Sequence, residues 1–186
     1  MMIIFSEHPN AERILNDSWE LFQQKGYRGV SVDEICQRCN LTKPTLYYYF
    51  ENKETLFVEV LVHRLRGFHE VIEGQGALAE RLERIASTMF DSFSTEYSHL
   101  VRDLEHIKRP ENGLRVREAF ATEMFLPLTA LMSAAVAAGE LKGEPRFLAM
   151  VFAGMVDSFI SHASDFGMDN RQLAVQVTQF FMRGAK

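Results

Sequence analysis

Residues 41–57 read LTKPTLYYYFENKETLF, with three consecutive tyrosines, Tyr47 to Tyr49, at the centre. A helix that packs on a core carries apolar residues at every third or fourth position, whereas a solvated helix carries charged ones. A run of tyrosines fits neither pattern, because each side chain joins an aromatic ring to a hydroxyl group. We interpret this stretch as a surface that contacts another molecule. The alternative is that the rings cover the edge of a core.

The residues before the tyrosines predict two short helices. Ser31 and Glu34 form the S-x-x-E capping box, in which each side chain bonds the free backbone N–H of the other residue. Asn40 accepts a left-handed backbone and is predicted to end this helix. Thr42 is placed to cap the next helix, with Pro44 tolerated in its first turn. The predicted arrangement is helix, tight turn, helix.

In a helix-turn-helix, the second helix enters the major groove of DNA and needs polar, aromatic and basic groups on one face. Leu46 and Phe50, four positions apart, are predicted to point into the same core as Ile35. Lys53 begins the following helix beside the DNA backbone, and Asn52 is placed to cap it. The residues of the second helix predicted to face DNA are Lys43, Thr45, Tyr47, Tyr48 and Tyr49.

The rest of the chain is predicted to be helical, and the fold class is all-α with about nine helices. Residues 13–26 read as an amphipathic helix, capped by Asn10 and ended by Gly26. Its apolar face carries Ile14, Leu15, Ser18, Leu21 and Phe22. Further breaks are predicted at 74–76, 110–113, 139–145 and 167–170, and the segments between them include helices over 101–109, 146–166 and 171–183.

The chain has 186 residues, of which 47% are hydrophobic and 24% charged, as in an ordinary globular protein. This balance excludes disordered and fibrous classes. No apolar run approaches the roughly 20 residues of a membrane-spanning helix, and the opening MMIIF lacks the basic start of a secretory signal. We therefore expect a cytoplasmic protein with no membrane partner.

The formal net charge of −5 argues against non-specific binding to polyanions. Residues 25–53, however, contain five basic and three acidic residues, a local net charge of +2. Cys36 and Cys39 form a C-x-x-C pair, but there is no second pair to complete a zinc site. Both cysteines belong to an apolar helical stripe and are predicted to be buried thiols.

Residues 13–61 contain, in order, LF-x-x-KGY, S-V-D-E-I, T-K-P-T-L-Y-Y-Y-F and N-K-E-x-L-F. This segment closely resembles the DNA-binding segment of the TetR family of bacterial transcriptional regulators. Asn40 stands where the family usually has glycine. The resemblance implies a DNA-binding domain over residues 1–54 and a helical effector-binding and dimerisation domain over 55–186. It implies that DNA is faced by Thr42, Lys43, Thr45, Tyr47, Tyr48, Tyr49 and Lys53, with Tyr27 and Ser31 near phosphates.

The larger helical part is rich in bulky, adaptable side chains, which form either a plain core or a pocket for an apolar or aromatic ligand. Pro127 lies inside a predicted helix, where its missing N–H is expected to kink the helix and open a cavity beside Met124, unless the helix merely curves around its neighbours. The candidate pocket residues are Met89, Phe90, Phe93, Phe120, Met124, Phe125, Phe152, Met155, Phe159 and His162.

Two further patterns concern metal binding and dimerisation. His99, Asp103 and His106 repeat on one helical face and are either a transition-metal site or the solvated edge of an amphipathic helix. No cofactor is predicted. The last two helices are expected to pair with those of a second subunit as a four-helix bundle. The candidate interface residues are Phe147, Val151, Gly154, Ser158, Leu173, Val177, Phe180 and Phe181.

These features favour a ligand-responsive transcriptional regulator, a repressor, which binds a palindromic operator in double-stranded DNA as a homodimer. A small apolar or aromatic effector would release it. An alternative is a protein-interaction adaptor that uses DNA only for placement. A helical metal-dependent enzyme using Asp103, His106 or His162 is a further alternative, but the sequence has no nucleophile elbow or phosphate loop, so no enzymatic activity is predicted.

Overall fold

The computed structural model describes residues 9–92, 103–160 and 162–185, and within these ranges the chain forms helices and no strands. The all-α prediction is confirmed, and eight α-helices stand close to the nine predicted. The eight helices are α1 (Pro9–Gly29), α2 (Val32–Arg38), α3 (Lys43–Tyr49), α4 (Lys53–Glu73), α5 (Leu78–Ser92), α6 (Pro110–Ala137), α7 (Pro145–Phe159) and α8 (Asn170–Gly184).

The chain divides into two compact units, which do not follow the sequence in two blocks. The first unit comprises the described parts of Met1–Arg64 and Ser98–Glu118, and the second comprises those of Leu65–Tyr97 and Ala119–Lys186. The functional boundary between residues 54 and 55 stays a prediction. Residues 103–118 nevertheless group with the helix-turn-helix, which the sequence patterns did not indicate.

The first unit closes around apolar side chains of α1, α2, α3 and the start of α4. The predicted face of α1 is buried, including the hydroxyl-bearing Ser18, and so are Ile35, Leu46 and Phe50. The rings of Phe22 and Phe57 meet edge to face, with centroids 5.0 Å apart. Each such side chain contributes about 1.5–3 kcal/mol when fully buried.

Local capping chemistry sets the bounds of the short helices as predicted. The Glu34 N–H donates to Ser31 Oγ at 3.2 Å, and the Ser31 N–H donates to Glu34 Oε2 at 2.9 Å. Asn40 has a φ of 50°, the left-handed conformation expected of a helix stop. Thr42 caps α3, and Asn52 Oδ1 accepts the N–H of Thr55 at the start of α4.

Helix α1 differs from its prediction at its beginning and is interrupted near its end. It begins at Pro9, so Asn10 lies inside the first turn instead of capping it. Gly26 leaves the helical conformation with a φ of 68°, as expected for a stop. The N–H of Tyr27 then donates to the Asp103 carboxylate, and a Cβ atom at Gly26 would lie 3.1 Å from Asp103 Oδ2.

The second unit is a helical bundle in which α5 packs along α8 and the later part of α6 packs on α7. Its core includes the fully buried Leu82, Met132 and Phe152. The rings of Phe152 and Phe181 meet edge to face at 5.2 Å, which joins α7 to α8.

Helix α6 corrects the predicted break at 110–113. The N–H groups in the first turn of a helix have no acceptor within the helix, so proline loses no hydrogen bond there. Pro110 accordingly begins α6, and the helix continues through Gly113. Residues Ala121–Phe125 form a π-helical turn, in which the Leu126 N–H bonds the Ala121 carbonyl. This local change of pitch lies directly before Pro127, which has no N–H to donate; the kink and the cavity beside Met124 stay predictions.

By length and composition alone, α6 is a candidate for a membrane-spanning helix in the described part of the chain. By this measure, the prediction that the chain has no apolar run of near membrane-spanning length is wrong. A core helix of a soluble protein passes the same test, so one such helix is weak evidence.

One predicted helix is shorter in the structure, and another lies partly outside the described residues. Helix α7 ends at Phe159 instead of continuing to 166, because Ile160 adopts an extended backbone with a ψ of 131°. A 3-10 turn, Ala163–Phe166, follows and returns the Phe166 ring to within 5.7 Å of the Phe159 ring. In the predicted helix over 101–109, residues 101 and 102 lie outside the described ones, Asp103 is helical, and Leu104–His106 form a 3-10 turn.

Candidate DNA-binding surface

Helix α3 presents an outward face of tyrosines above a closed core. Tyr48 is 74% exposed and Tyr47 45% exposed, whereas Leu46 on the inner face is buried. Tyr49 is half-buried, and its ring meets the Tyr48 ring edge to face at 5.3 Å. The exposed rings leave two phenolic hydroxyl groups at the surface, where they are free to hydrogen-bond an incoming phosphate.

The two threonines of this region bond each other. Thr42 Oγ1 lies 2.8 Å from Thr45 Oγ1 and also accepts the N–H of Thr45 at 3.4 Å. Their hydroxyl groups therefore complete the cap of α3 in the free protein. Each hydroxyl still has acceptor or donor capacity for a second bond.

Basic side chains around α3 are paired with acidic ones. Lys43 Nζ lies 2.8 Å from Asp33 Oδ1, and the hydrogen bond to this carboxylate raises the pKa of Lys43. Lys25 pairs with Glu34, and Arg38 with Glu20. Such exposed pairs contribute little to stability because water screens them, so phosphates can displace the acidic partners.

Tyr27 and Lys53, both predicted to lie near DNA, contact each other within the first unit. Lys53 Nζ donates to the Val30 carbonyl at 2.5 Å and lies 4.3 Å from the centroid of the Tyr27 ring. Burial lowers the pKa of Lys53 and raises that of Tyr27. The Tyr27 ring also packs on Phe57 at 5.0 Å. Their contact with DNA stays a prediction.

Ser31 is exposed, but its hydroxyl belongs to the capping box. Its Oγ lies 3.0 Å from Glu34 Oε2 and accepts the Glu34 N–H. The sequence patterns did not single out Arg28, which is exposed at the end of α1 and forms no ion pair with any described residue. Its position three residues before Ser31, which is predicted to lie near a phosphate, could have identified Arg28 as a candidate.

The candidate ligand-pocket residues separate into three groups. Met89, Phe90, Met124 and Phe152 are buried, so they are core in the second unit. Phe120 and His162 are exposed, Phe125 is half-buried, and Phe93 lies outside the described residues. Met155 and Phe159 line an open groove of about 400 Å³ between α7 and α8. The groove is completed by Phe166, Met168, Leu173, Gln176, Val177 and Phe180.

The candidate interface residues also separate. Phe147, Gly154 and Ser158 on α7 are exposed and Val151 is half-buried, whereas Leu173, Val177 and Phe181 on α8 are buried. Phe147 is 62% exposed and Phe180 is 74% exposed. Met150, three residues after Phe147 on α7, is exposed as well. We name the exposed set Phe147, Met150, Gly154 and Phe180 the α7–α8 surface.

The remaining candidates concern metals and thiols. His99 lies outside the described residues, Asp103 is buried and accepts the Tyr27 N–H, and His106 is half-buried. Over the described ranges, no group of three or more suitable side chains is arranged to hold a metal ion. Cys36 and Cys39 are free, buried thiols, as predicted, and burial raises the pKa of Cys39 to about 12.

Sequence relatives match the N-terminal part of the chain. The family described as bacterial regulatory proteins, tetR family, matches residues 14–60. The transcriptional regulator UidR of Escherichia coli strain K12 is 33% identical over 89 residues, which are 46% of this chain and 45% of UidR. IcaR of Staphylococcus epidermidis, a negative regulator of the biofilm operon icaADBC, is 37% identical over 46 residues, 25% of each chain. The matches thus span less than half of the length of these relatives.

The fold is shared over nearly the whole chain. The crystal structure of FadR from Bacillus subtilis, in complex with stearoyl-CoA, superposes with a TM-score of 0.74. The superposition covers 94% of this chain and 99% of FadR at 18% identity. At this level of identity, the likeness shows the fold alone.

The matched segment runs from α1 to the first part of α4, and it contains α2, α3 and the exposed tyrosine face. Members of the matching family are transcriptional regulators, which are not enzymes. Residues 14–60, which hold the helix-turn-helix, are therefore similar to the TetR family of bacterial transcriptional regulators.

Proposed function

We propose that this regulator is a homodimeric repressor, which binds a palindromic operator through its two α3 helices and is released by a small apolar or aromatic effector. The observation that carries the proposal is the exposed tyrosine face of α3, with Tyr48 74% exposed on a unit whose core is closed without it. Because these exposed rings are not needed to close the core, we infer that they contact a partner molecule. We expect the protein to act in the cytoplasm.

Three features of α3 support DNA as the partner. The Tyr47 and Tyr48 hydroxyls can bond phosphate oxygens, and their rings can lie against sugars or thymine methyl groups. Lys43 is held by an exposed ion pair with Asp33. Exchanging the Asp33 carboxylate for a phosphate keeps Lys43 paired and releases a counterion from the DNA.

The α7–α8 surface supports dimerisation. Phe147, Met150 and Phe180 expose apolar side chains that a monomer would leave in water. A Cβ atom at Gly154 would meet nothing within 4 Å, so a second helix has room to approach there. Two helices from each subunit can bury these side chains as a four-helix bundle. A two-fold dimer then requires a two-fold operator.

The groove between α7 and α8 supports an apolar effector. Its lining is almost entirely methionine, phenylalanine, leucine and valine, with Gln176 as a polar group able to orient a ligand. FadR, which shares the fold, was crystallised with stearoyl-CoA. An effector would release DNA by favouring a shape of the dimer in which the two α3 helices no longer match successive major grooves.

Selection of bound duplexes from a random library tests DNA binding. We expect an enriched inverted repeat, and we expect Tyr48→Ala to weaken binding to it by about 10–100-fold, the loss of roughly 1–3 kcal/mol of direct contact. Tyr48→Phe is the matched control, because it keeps the ring and removes only the hydroxyl. Thermal unfolding should be unchanged in both variants, since an exposed side chain contributes within about 0.5 kcal/mol.

Two results would contradict the proposal. The first is a folded, dimeric protein that enriches no sequence, with or without apolar ligands present. The second is an enriched sequence whose affinity is the same for wild type and Tyr48→Ala, because the tyrosine face would then play no part in binding.

A further inference from the structure

The start of α4 is held by residues that lie 55 to 58 positions further along the chain. Glu54, in the first turn of α4, accepts the backbone N–H of Arg109 at 3.0 Å and the side-chain amide of Asn112 at 2.8 Å. The Arg109 guanidinium also donates to Glu51 at 2.9 Å. All four residues belong to the first unit.

The Glu54 carboxylate acts as a cap for α6. Arg109 directly precedes α6, and the first N–H groups of a helix have no partner within it. Arg109 has no acceptor in its own side chain, so it cannot cap α6 itself. Glu54 supplies the acceptor from a different helix, and its negative charge is favourable at the positive end of α6.

This contact is specific as well as charged. Asn112 is buried, so its amide has no water to replace the bond to Glu54. Burial would raise the pKa of Glu54, but hydrogen bonds from the Asn112 side chain and from the backbone of Arg109 and Lys108 outweigh it and hold the pKa below its usual range. The carboxylate is therefore ionised at neutral pH, and its hydrogen bonds are of the strong, charge-assisted kind.

The connection from Glu54 back to α3 has little freedom. Tyr49 is the last residue of α3, and the buried Phe50 follows it with its N–H bonded to the Leu46 carbonyl. Asn52 then caps α4 at once. Any shift of Glu54 is thus passed to the end of α3 through a short connection fixed at both ends.

We propose that Glu54, held by Arg109 and Asn112, is a positioning residue that fixes the orientation of α3 for DNA reading. This inference rests on the proposed function, DNA binding by the α3 face. Glu54 itself touches no DNA in this scheme, because its carboxylate is committed to α6. Arg109 and Asn112 accordingly support DNA reading, although they lie far from α3 in sequence.

Asn112→Asp in the full-length chain is the decisive variant, because it sets a second carboxylate against Glu54. We expect its affinity for the selected operator to fall about tenfold. The salt dependence of binding should keep its slope, since no phosphate contact is lost. The double variant Glu54→Gln with Asn112→Asp restores an amide-to-carboxylate bond with the roles exchanged. We expect it to recover to within about threefold of wild type.

Glu111→Gln is the control for a change of charge that leaves the Glu54 contact intact, because Glu111 is exposed in the same first turn of α6. Its affinity should stay within about twofold of wild type. Thermal unfolding of every variant must lie well above the assay temperature. Recovery of affinity in the double variant at unchanged salt slope then separates positioning from a general loss of stability.

Three outcomes would overturn the inference. They are wild-type affinity in Asn112→Asp, a folded double variant no better than Asn112→Asp, and a salt slope lowered by about one, which would indicate a lost phosphate contact. If the wild type binds no duplex, the proposed function fails and this inference fails with it. If the wild type binds and Asn112→Asp is unaffected, only this inference fails.

Discussion

The face of α3 and the α7–α8 surface both expose aromatic rings, but the groups attached to those rings differ. On α3 the exposed rings are Tyr47 and Tyr48, which carry hydroxyl groups beside the ammonium of Lys43. On α7 and α8 they are Phe147 and Phe180, which have no polar atom in their side chains. The two surfaces are therefore similarly exposed, but one carries polar hydroxyl groups and the other is purely apolar.

The difference lies in what water does to each surface. A tyrosine hydroxyl is solvated in the free protein and can exchange water for a phosphate oxygen, so exposure carries a small penalty. An exposed phenylalanine gains about 25 cal/mol per Å² of apolar area when it is covered. The same ring thus indicates a nucleic-acid partner in one place and a protein partner in the other.

The largest effect should come from placing a charge on the α7–α8 surface. Phe180→Asp would bury two carboxylates in the proposed bundle, so we expect a monomer at micromolar concentration in sedimentation. Operator affinity should fall by about 100-fold or more, because the two DNA-binding domains are no longer linked. Tyr48→Asp is the control, since it charges the other surface and should leave the dimer intact. A dimeric Phe180→Asp protein would show that this surface is not the interface.

Opposite changes at one ion pair should move DNA affinity in opposite directions. Lys43→Ala should weaken binding and lower the salt slope by about one, as expected for one lost phosphate contact. Asp33→Asn frees Lys43 from its exposed partner and should strengthen binding about two- to fivefold, in line with the small worth of such pairs.

Glu70→Gln is the control for the change of net charge, because Glu70 is exposed on α4 in the second unit. Affinities are measured on the same duplex over a range of salt concentrations. Equal gains in Asp33→Asn and Glu70→Gln would mean that only overall charge matters, which would remove the case for a local contact by Lys43.

The smallest effect should be an acid-sensitive loosening confined to α2. The Lys25 ammonium and the Ser31 cap hold the pKa of Glu34 at about 2, below the ordinary value of 4.5. A lowered pKa contributes stability above pH 4.5 and loses it as the pH falls towards 2. We expect the protection of α2 amides from exchange, relative to their intrinsic rates at each pH, to fall over this window in wild type and to change less in Glu34→Gln. Equal pH dependence in both proteins would contradict the role of this carboxylate.

The helix-turn-helix was predictable because its chemistry is local. The capping box of Ser31 and Glu34, the left-handed Asn40 and the Thr42 cap each act within a few residues, so spacing in the sequence is enough to recognise them. The burial of Leu46 and Phe50 follows from the same spacing. The residues of α3 that do not point into this core form its exposed face.

Contacts between distant segments were not predictable from spacing. A basic residue at the start of a helix suggests a phosphate contact, yet Lys53 donates to the Val30 carbonyl, 23 positions earlier. The sequence pattern predicts a break at Pro110, whereas in the structure Glu54 supplies a cap and Pro110 begins a long helix. The sequence around Lys53 or Pro110 gives no sign of the distant residue that each segment contacts.

The candidate pocket shows a different limit. Phe152 and Met155 lie three positions apart on one helix, and both suit a core or a pocket by residue type. In the structure Phe152 is fully buried, while Met155 lines the open groove. The neighbours that decide between the two roles come from α8, which the periodicity of α7 does not include.

Gly26 has a consequence for how this protein tolerates substitution. Its φ of 68° disfavours any L side chain, and an added Cβ atom would meet the Asp103 carboxylate that holds the next peptide N–H. A complete survey of single substitutions should therefore show position 26 as intolerant even to alanine, while the exposed Gly67 accepts it freely. The smallest residue in the first unit would carry one of its strictest requirements.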